Sequence, residues 1–387
     1  MQGHEVVIVD AVRTPIGRGS SSVGHYRDLH PAALLGRVYT AVLERSGLDP
    51  EQVESVLAGC VMQIGPQGSN IARTAWLHEG LPIATSAVTL DLQCGSAQHA
   101  IGLGAAQIAS GMHDVVIAAG VEHMGALGFP AAEQTQEQYG RALTPQVLEH
   151  HPIEGQGIGA ELIADDWGLT RIELDAFSVR SHQRAAAAAH AGSFDREIVP
   201  VATPGGLVRA DQGIRPDTTM EALSQLRTVF KDDGKLTAGS SSQISDGAAA
   251  VLLMNAEFAE RHGVAARARI VDHVSVGCDP VRMLEGPIPA TTRILERNDL
   301  TIDEIDRFEV NEAFASVVLA WQQAHNPDPD RVNVNGGAIA LGHPVGATGA
   351  RLITSLLHEL ERSETTRGLV TMCCGGGLGT GTLIERA

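Results

Sequence analysis

Aromatic residues are scarce in this 387-residue chain, at 3%, with seven Phe, three Trp and three Tyr. Its core must therefore come from aliphatic and small side chains. Hydrophobic residues make up 43% of the chain and glycine occurs 43 times, a composition that lets backbones approach closely in packed α/β layers. Positive charge is also short: 28 Lys and Arg face 46 Asp and Glu, a formal net charge of −18. That balance argues against a nucleic-acid partner, because phosphate backbones need a basic surface. A small phosphorylated ligand stays open, since it needs only a local cluster of cations. No uninterrupted apolar run approaches the roughly 20 residues of a membrane span. A strand-like stretch, Val6 to Val9, follows the N-terminus with no apolar signal region before it, so neither a signal peptide nor a membrane anchor is expected.

Cysteine is scarce as well: Cys60, Cys94, Cys278, Cys373 and Cys374. The number is odd and the spacing fits neither a disulfide framework nor a zinc site, and adjacent Cys373 and Cys374 cannot easily bridge. Free thiols, no metal and a reducing, cytoplasmic compartment are expected. A thiol redox carrier is disfavoured because there is no Cys-x-x-Cys pair.

Strand-like and helical runs alternate. Val6 to Val9, Val53 to Ala58, Asp114 to Ala118, Ala250 to Met254, Ala268 to Val276, Arg307 to Val310 and Gly368 to Met372 read as strands. Residues 30–46, 97–110, 312–324 and 346–361 read as helices. This βαβα rhythm predicts an α/β fold with a mostly parallel sheet. Order is repeated between the halves: strand, turn plus helix, strand, glycine. Between 121 and 245 the rhythm breaks into a turn-rich, charged stretch, with one clear helix that has Thr170 as N-cap, Glu173 completing a capping box, and a stop at Gly192. The expected units are 1–120 plus 246–268, an inserted subdomain 121–245, and 269–387.

Four segments carry chemistry-bearing residues. In LQCGSAQ (92–98), Cys94 stands where a strand meets a helix. A helix start offers about half a positive charge and unpaired N–H groups, which favour a nucleophilic thiolate. The Cys94 and Gly95 N–H groups could face an oxyanion. The alternative is a buried, inert helix-start cysteine. In EVNEAFA (309–315), Asn311 is either an N-cap or an amide that holds a water or substrate oxygen. In NVNGGAIALGHPVG (333–346), Pro344 keeps His343 out of helical conformation, and the glycines around it would let backbone approach a ligand. A histidine so placed is a candidate for acid/base work. In TMCCGGGLG (371–379), a strand empties into two cysteines and three glycines. No Lys-Ser or Lys-Thr follows, so an exposed thiol beside backbone donors fits better than a nucleotide loop.

Together these segments closely resemble the signature motifs of the thiolase family. The resemblance spans nearly the whole chain, through VIVDAVRTPIGR at the start, SHQRA and EIVPV within 177–200, GIRPDTT (213–219) and TAGSSSQISDGAAA (237–250). It implies duplicated βαβα halves in a layered αβαβα arrangement. It implies an acyltransferase that cleaves a 3-ketoacyl-CoA with coenzyme A to acetyl-CoA and a shortened acyl-CoA, or runs the reverse Claisen condensation, by a ping-pong route through acyl-Cys94. No permanent cofactor is implied; coenzyme A is a substrate. His343 would take the thiol proton, Asn311 would hold a water of the first oxyanion hole, and Cys373 would be the second acid/base. The Gly375 and Cys94 N–H groups would form the second oxyanion hole. Arg215 and Arg227 would lie near the CoA phosphates and Ser242 near its pantetheine. A homo-oligomer, dimer or tetramer, is implied.

There are departures from the family pattern. Gln156, in GQGIGAE, replaces a Met that lines the acyl end, and VEHMGALG, with Met124, differs from the usual Glu-Ser-Met-Ser. Cys374 stands where an aliphatic residue is usual. Both acyl-end changes leave the substrate open; such variants resemble thiolases acting on bulky or steroid-derived chains. Two rivals remain. A decarboxylating ketoacyl synthase would lack Cys373. A non-catalytic CoA-binding protein on the same fold would not need Cys94, Asn311, His343 and Cys373 together.

Overall fold

The computed structural model describes residues 3–128 and 135–387. Its strands are β1 (Val6–Arg13), β2 (Gly17–Arg18), β3 (Ser55–Gly59), β4 (Ser86–Leu90), β5 (Val115–His123), β6 (Val201–Thr203), β7 (Gly206–Val208), β8 (Ser245–Asn255), β9 (Ala268–Gly277), β10 (Arg307–Val310), β11 (Arg367–Cys374) and β12 (Leu378–Arg386). Apart from the β6–β7 hairpin they form one ten-stranded sheet, in the order β10-β11-β12-β9-β1-β8-β5-β3-β4, with β2 on β8.

The sheet is two copies of one pattern set edge to edge. The first runs β4-β3-β5-β8-β1. The second runs β10-β11-β12-β9, and Val332 pairs with Phe308 in parallel where β4 stands in the first. The copies join through Val7 and Ile8 of β1 against Arg269 and Ala268 of β9. The repeat expected from element order is therefore present in the topology. The expectation of a mostly parallel sheet is not met. Between the strands named above, pairing is parallel for β3 with β4 and β5 and for β10 with β11, and antiparallel for the others. The reason is local at β11–β12: the three glycines after Cys374 make a tight turn that sends the chain straight back, with Cys374 opposite Leu378.

Five layers result. Helices Ser96–Ala109 and Thr348–Arg362 lie against each other in the middle, and each touches strands of both copies. Helices Pro31–Ser46 and Ile71–His78 cover the outer face of the first copy, and Pro287–Arg297 and Ala315–His325 that of the second. Side chains of β5 alternate between two cores: Val115, Ile117, Ala119 and Val121 face the outer helices, while Val116 and Ala118 face the central pair. Burial on both faces explains why such strands read as continuous apolar runs. Gln98, on the first central helix, ties the layers: its amide donates to the Val370 carbonyl (3.0 Å) and Thr382 Oγ1 (2.9 Å) and accepts from Thr380 Oγ1 (2.7 Å). Each such bond contributes about 1 kcal/mol net. Helix Arg171–His190 has the expected capping box, and Gly192 follows its end with φ +73°.

The two central helices begin almost in contact. A Cβ at Gly120 would lie 2.1 Å from the Gly346 carbonyl oxygen, and one at Gly349 would lie 2.4 Å from the Gln98 backbone nitrogen. Backbone cannot move aside as a flexible side chain can, so Gly120→Ala is expected to cost about 1–3 kcal/mol or more. Differential scanning calorimetry should show a clearly lower Tm for Gly120→Ala. Gly205→Ala, where the nearest atom would lie at 3.7 Å, should leave it unchanged. Equal Tm values for the two variants would show that the halves are not locked at this contact.

Candidate active site

Cys94 stands at the apex of the turn between β4 and helix Ser96–Ala109. Gln93, just before it, takes a left-handed backbone (φ +51°), a strain of about 1–2 kcal/mol for a residue with a Cβ. Hydrogen bonds hold it: Asp91 Oδ1 accepts from Gln93 N–H (2.7 Å), Ser96 Oγ accepts from Leu92 N–H (2.8 Å), and the Ser96 hydroxyl donates to the Gln93 carbonyl. Gly95 must lack a side chain, since a Cβ there would lie 2.5 Å from Cys374 Sγ. Cys94 is only 3% exposed. Burial pushes its thiol up to about 11, while the N–H groups of Gly375 and of Cys94 itself pull the other way. Desolvation thus outweighs the helix start's pull toward the thiolate. The Gly95 N–H is also not free for an oxyanion, because it donates to the Leu92 carbonyl (3.1 Å).

Asn311 and His343 meet inside the protein. Asn311 follows β10 but caps no helix; the next helix starts at Ala315 with Phe314 as its cap. Its amide nitrogen instead lies 3.3 Å from His343 Nε2, and its Oδ1 is buried without a partner. His343 Nδ1 lies 2.6 Å from Thr348 Oγ1, and that hydroxyl donates to the Pro344 carbonyl (2.9 Å). With its proton so used, Thr348 accepts from Nδ1–H, which leaves a lone pair on Nε2. Burial lowers the His343 pKa to about 3, helped by the Arg351 cation, so the ring is neutral. His343 is non-helical, as Pro344 requires. The surrounding glycines serve the protein's own packing rather than leaving room for a ligand. A Cβ at Gly337 would strike the Glu312 carboxylate at 2.3 Å, and one at Gly346 would strike Glu122 and the Val121 carbonyl at 2.6 Å.

Cys373 and Cys374 end β11, and neither is exposed, contrary to the exposed thiol expected. Alternation along the strand sends them to opposite faces: Cys373 joins the outer core of the second copy and Cys374 the central core with Cys94. Burial raises both thiols well above the ordinary range, and the nearby Cys94 adds to it. Gly375 follows, with its N–H toward Cys94. Beside Gly375 stand Gln93 and Gln156, the latter opening helix Gln156–Asp166. Met124 is buried, and its sulfur accepts from the Ser245 N–H (3.4 Å).

The residues expected at CoA lie outside this buried cluster. Arg215 and Arg227 are exposed and Ser242 is half-buried. Arg227, Thr228, Val229, Phe230, Lys231 and Asp232 line a cavity of about 480 Å³. The Phe230 ring packs edge-on against Phe314 (5.6 Å) and fills the space at Gly157. The Ser242 N–H is bound to the Ala313 carbonyl (2.9 Å), two residues from Asn311. Among the described residues no group of three or more His, Cys, Asp or Glu is arranged to hold a metal.

Several supporting residues went unnoticed in the sequence. Thr348 orients His343. Ser245 accepts from the His343 N–H (3.1 Å). Glu122 accepts from Val61, Met62 and Gly346 N–H groups and from Gln67, clamping the Gly346 turn. Only Thr348 carried a local signal, one turn beyond Pro344. Ser245 reaches His343 across 98 residues of chain and Glu122 reaches Gly346 across 224.

Comparison with known proteins agrees with this geometry. A sequence profile of the thiolase N-terminal domain matches residues 6–257, and one of the thiolase C-terminal domain matches residues 264–386. The chain is 46% identical to the steroid 3-ketoacyl-CoA thiolase FadA6 of Mycobacterium tuberculosis, over 99% of this chain and 94% of that one. It is 42% identical to a beta-ketoadipyl-CoA thiolase of Pseudomonas aeruginosa, over 99% of both. The crystal structure of the Bacillus anthracis acetyl-CoA acetyltransferase superposes with a TM-score of 0.91 at 37% identity, covering 100% of each chain. With the duplicated fold and both domain matches covering nearly all of it, this chain belongs to the thiolase family of acyltransferases.

Proposed function

We propose that the protein cleaves a 3-ketoacyl-CoA with coenzyme A, releasing acetyl-CoA and a shortened acyl-CoA, by way of an acyl group on Cys94. One observation carries this reading: the nucleophile's sulfur meets an N–H from the opposite copy, that of Gly375, and the buried Cys373 lies near enough for Cys94 to push its thiol up. In the first step the Nε2 lone pair of His343 exchanges its long bond from the Asn311 amide for the Cys94 proton as sulfur attacks the C3 ketone. A thiol raised to about 11 and a histidine lowered to about 3 do not form a resting ion pair, so transfer accompanies attack. Asn311 holds the water that faces the ketone oxygen, as its unpartnered Oδ1 suggests. Breaking C2–C3 leaves the enolate of acetyl-CoA. The Cys94 and Gly375 N–H groups stabilise it, at about 3–4 kcal/mol per donor in comparable holes, and Cys373 protonates it. Cys373 then deprotonates the incoming CoA thiol, which attacks acyl-Cys94; the acyl-CoA leaves, the released Cys94 thiolate takes its proton back from His343, and the reverse direction is the Claisen condensation.

Arg215 and Arg227 bind the CoA phosphates, Ser242 lies along the pantetheine, and Gln156 and Met124 border the acyl chain within an inserted unit, 121–245. Similarity to a steroid 3-ketoacyl-CoA thiolase favours bulky or steroid-derived acyl chains. The protein is a homo-oligomer, since β4 ends the sheet as an unburied edge with Val88 45% exposed, beside Ile83 at 82%. Five free cysteines suit a reducing, cytoplasmic setting.

Three measurements test this. Wild type should cleave acetoacetyl-CoA and longer or cyclic 3-ketoacyl-CoAs only when CoA is added. Cys94→Ala should lose about 10⁴-fold or more in kcat and Cys373→Ala about 10²-fold or more; activity retained by Cys94→Ala would overturn the mechanism. Alkylation of free enzyme by iodoacetamide at Cys94 should climb steadily from pH 7 to 10, because the thiolate is a minor species below about 11. A plateau near neutral pH would mean a resting thiolate. Light scattering on the eluting peak should give a mass of two or four chains, and Val88→Lys should shift it downward.

A further inference from the structure

We propose that Gln93 and Gln156 form a pair of amides that selects acyl chains carrying a hydroxyl or keto oxygen close to the ketone that is cleaved. This rests on the thiolase reading and adds a substrate class to it. Both side chains are half-buried. Both amides flank Gly375: a Cβ there would lie 3.1 Å from Gln93 Oε1 and 3.4 Å from Gln156 Nε2. Neither amide makes a hydrogen bond to another described residue, and they do not bond each other, whereas the buried Gln67 and Gln98 are both paired. They therefore stand beside the N–H that points at Cys94, with donors and acceptors to spare.

The physical consequence is selective. An alkyl chain entering here would strip water from two amides and give nothing back, and unpaired polar groups are what reject a substrate that lacks its oxygen. A hydroxyl can donate to one amide and accept from the other; a keto oxygen can accept from whichever presents an N–H. The Phe230 ring fills the space at Gly157, next to Gln156, so an apolar wall stands beside the amides. The acyl chain that fits has an apolar body and an oxygen on one side.

The strained backbone at Gln93 determines the choice of variant: Gln93→Asn shortens the amide yet tolerates φ +51°, and Gln156→Met removes the other amide at similar length. The experiment compares kcat/KM for 3-ketooctanoyl-CoA with its 6-hydroxy and 6-keto analogues in wild type and both variants. Because the readout is a ratio within each protein, partial misfolding cancels. Wild type should favour an oxygenated analogue by about tenfold or more, and each variant should bring that ratio toward one. A wild type that cleaves all three without preference, or variants that keep the wild-type ratio, would overturn this proposal alone. A wild type that cleaves none of these and no acetoacetyl-CoA would overturn the thiolase reading and this proposal with it.

Discussion

The starts of helices Ser96–Ala109 and Thr348–Arg362 meet each other and strand β5 where Gly349, on the second helix, and Gly120, on the strand, have no room for a side chain. Gly120 faces the Gly346 carbonyl at what would be 2.1 Å from a Cβ, and Gly349 faces the Gln98 nitrogen at 2.4 Å. Cys94 lies just before one helix and His343 shortly before the other. Because each helix touches strands of both copies, the position of one start is referred to the other through rigid backbone rather than adaptable side chains. Glu122 adds the polar half of the same clamp by accepting the Gly346 N–H while holding Val61 and Met62.

Deep burial then sets the electrostatics. Cys94, Cys373 and Cys374 are held as thiols and His343 as neutral imidazole, all chiefly by loss of water. The site thus rests without charge at its reacting atoms. What it offers is geometry: Thr348 fixing the His343 tautomer, Asn311 at Nε2, and backbone N–H groups aimed at the sulfur. Such donors gain strength where water is excluded, which is how an uncharged site would serve the proposed passage through an oxyanion and an enolate.

Much of this was legible in the chain. Strand and helix positions followed from apolar periodicity, the capping box at Thr170 and Glu173 formed as read, and the order of elements revealed the duplication. Strand direction was not legible, because an apolar run bounded by turns reads the same either way; the antiparallel return of β12 depends on the tight glycine turn after Cys374. The state of Cys94 was left open by the sequence for a related reason. A helix start is a local feature, but the burial that outweighs it comes from β11, some 280 residues later in the chain. Asn311 read locally as a cap, and its actual partner, His343, is 32 residues away.

By itself the sequence determined the candidate residues for the chemistry and their order along two similar halves: a cysteine before a helix, an asparagine after a strand, a histidine before a proline, and a cysteine ahead of three glycines. These are one-dimensional facts, set by local propensity and spacing. Tertiary structure alone decided that the glycines near His343 accommodate carboxylates and carbonyls of the same chain, that Cys94, Cys373 and Cys374 lie out of water, and that Gln93 and Gln156 stand beside Gly375 with no hydrogen bond from their amides to another described residue. The reason is physical: burial, hydrogen-bond satisfaction and close approach are relations between segments far apart in sequence, and only folding brings them within a few ångströms.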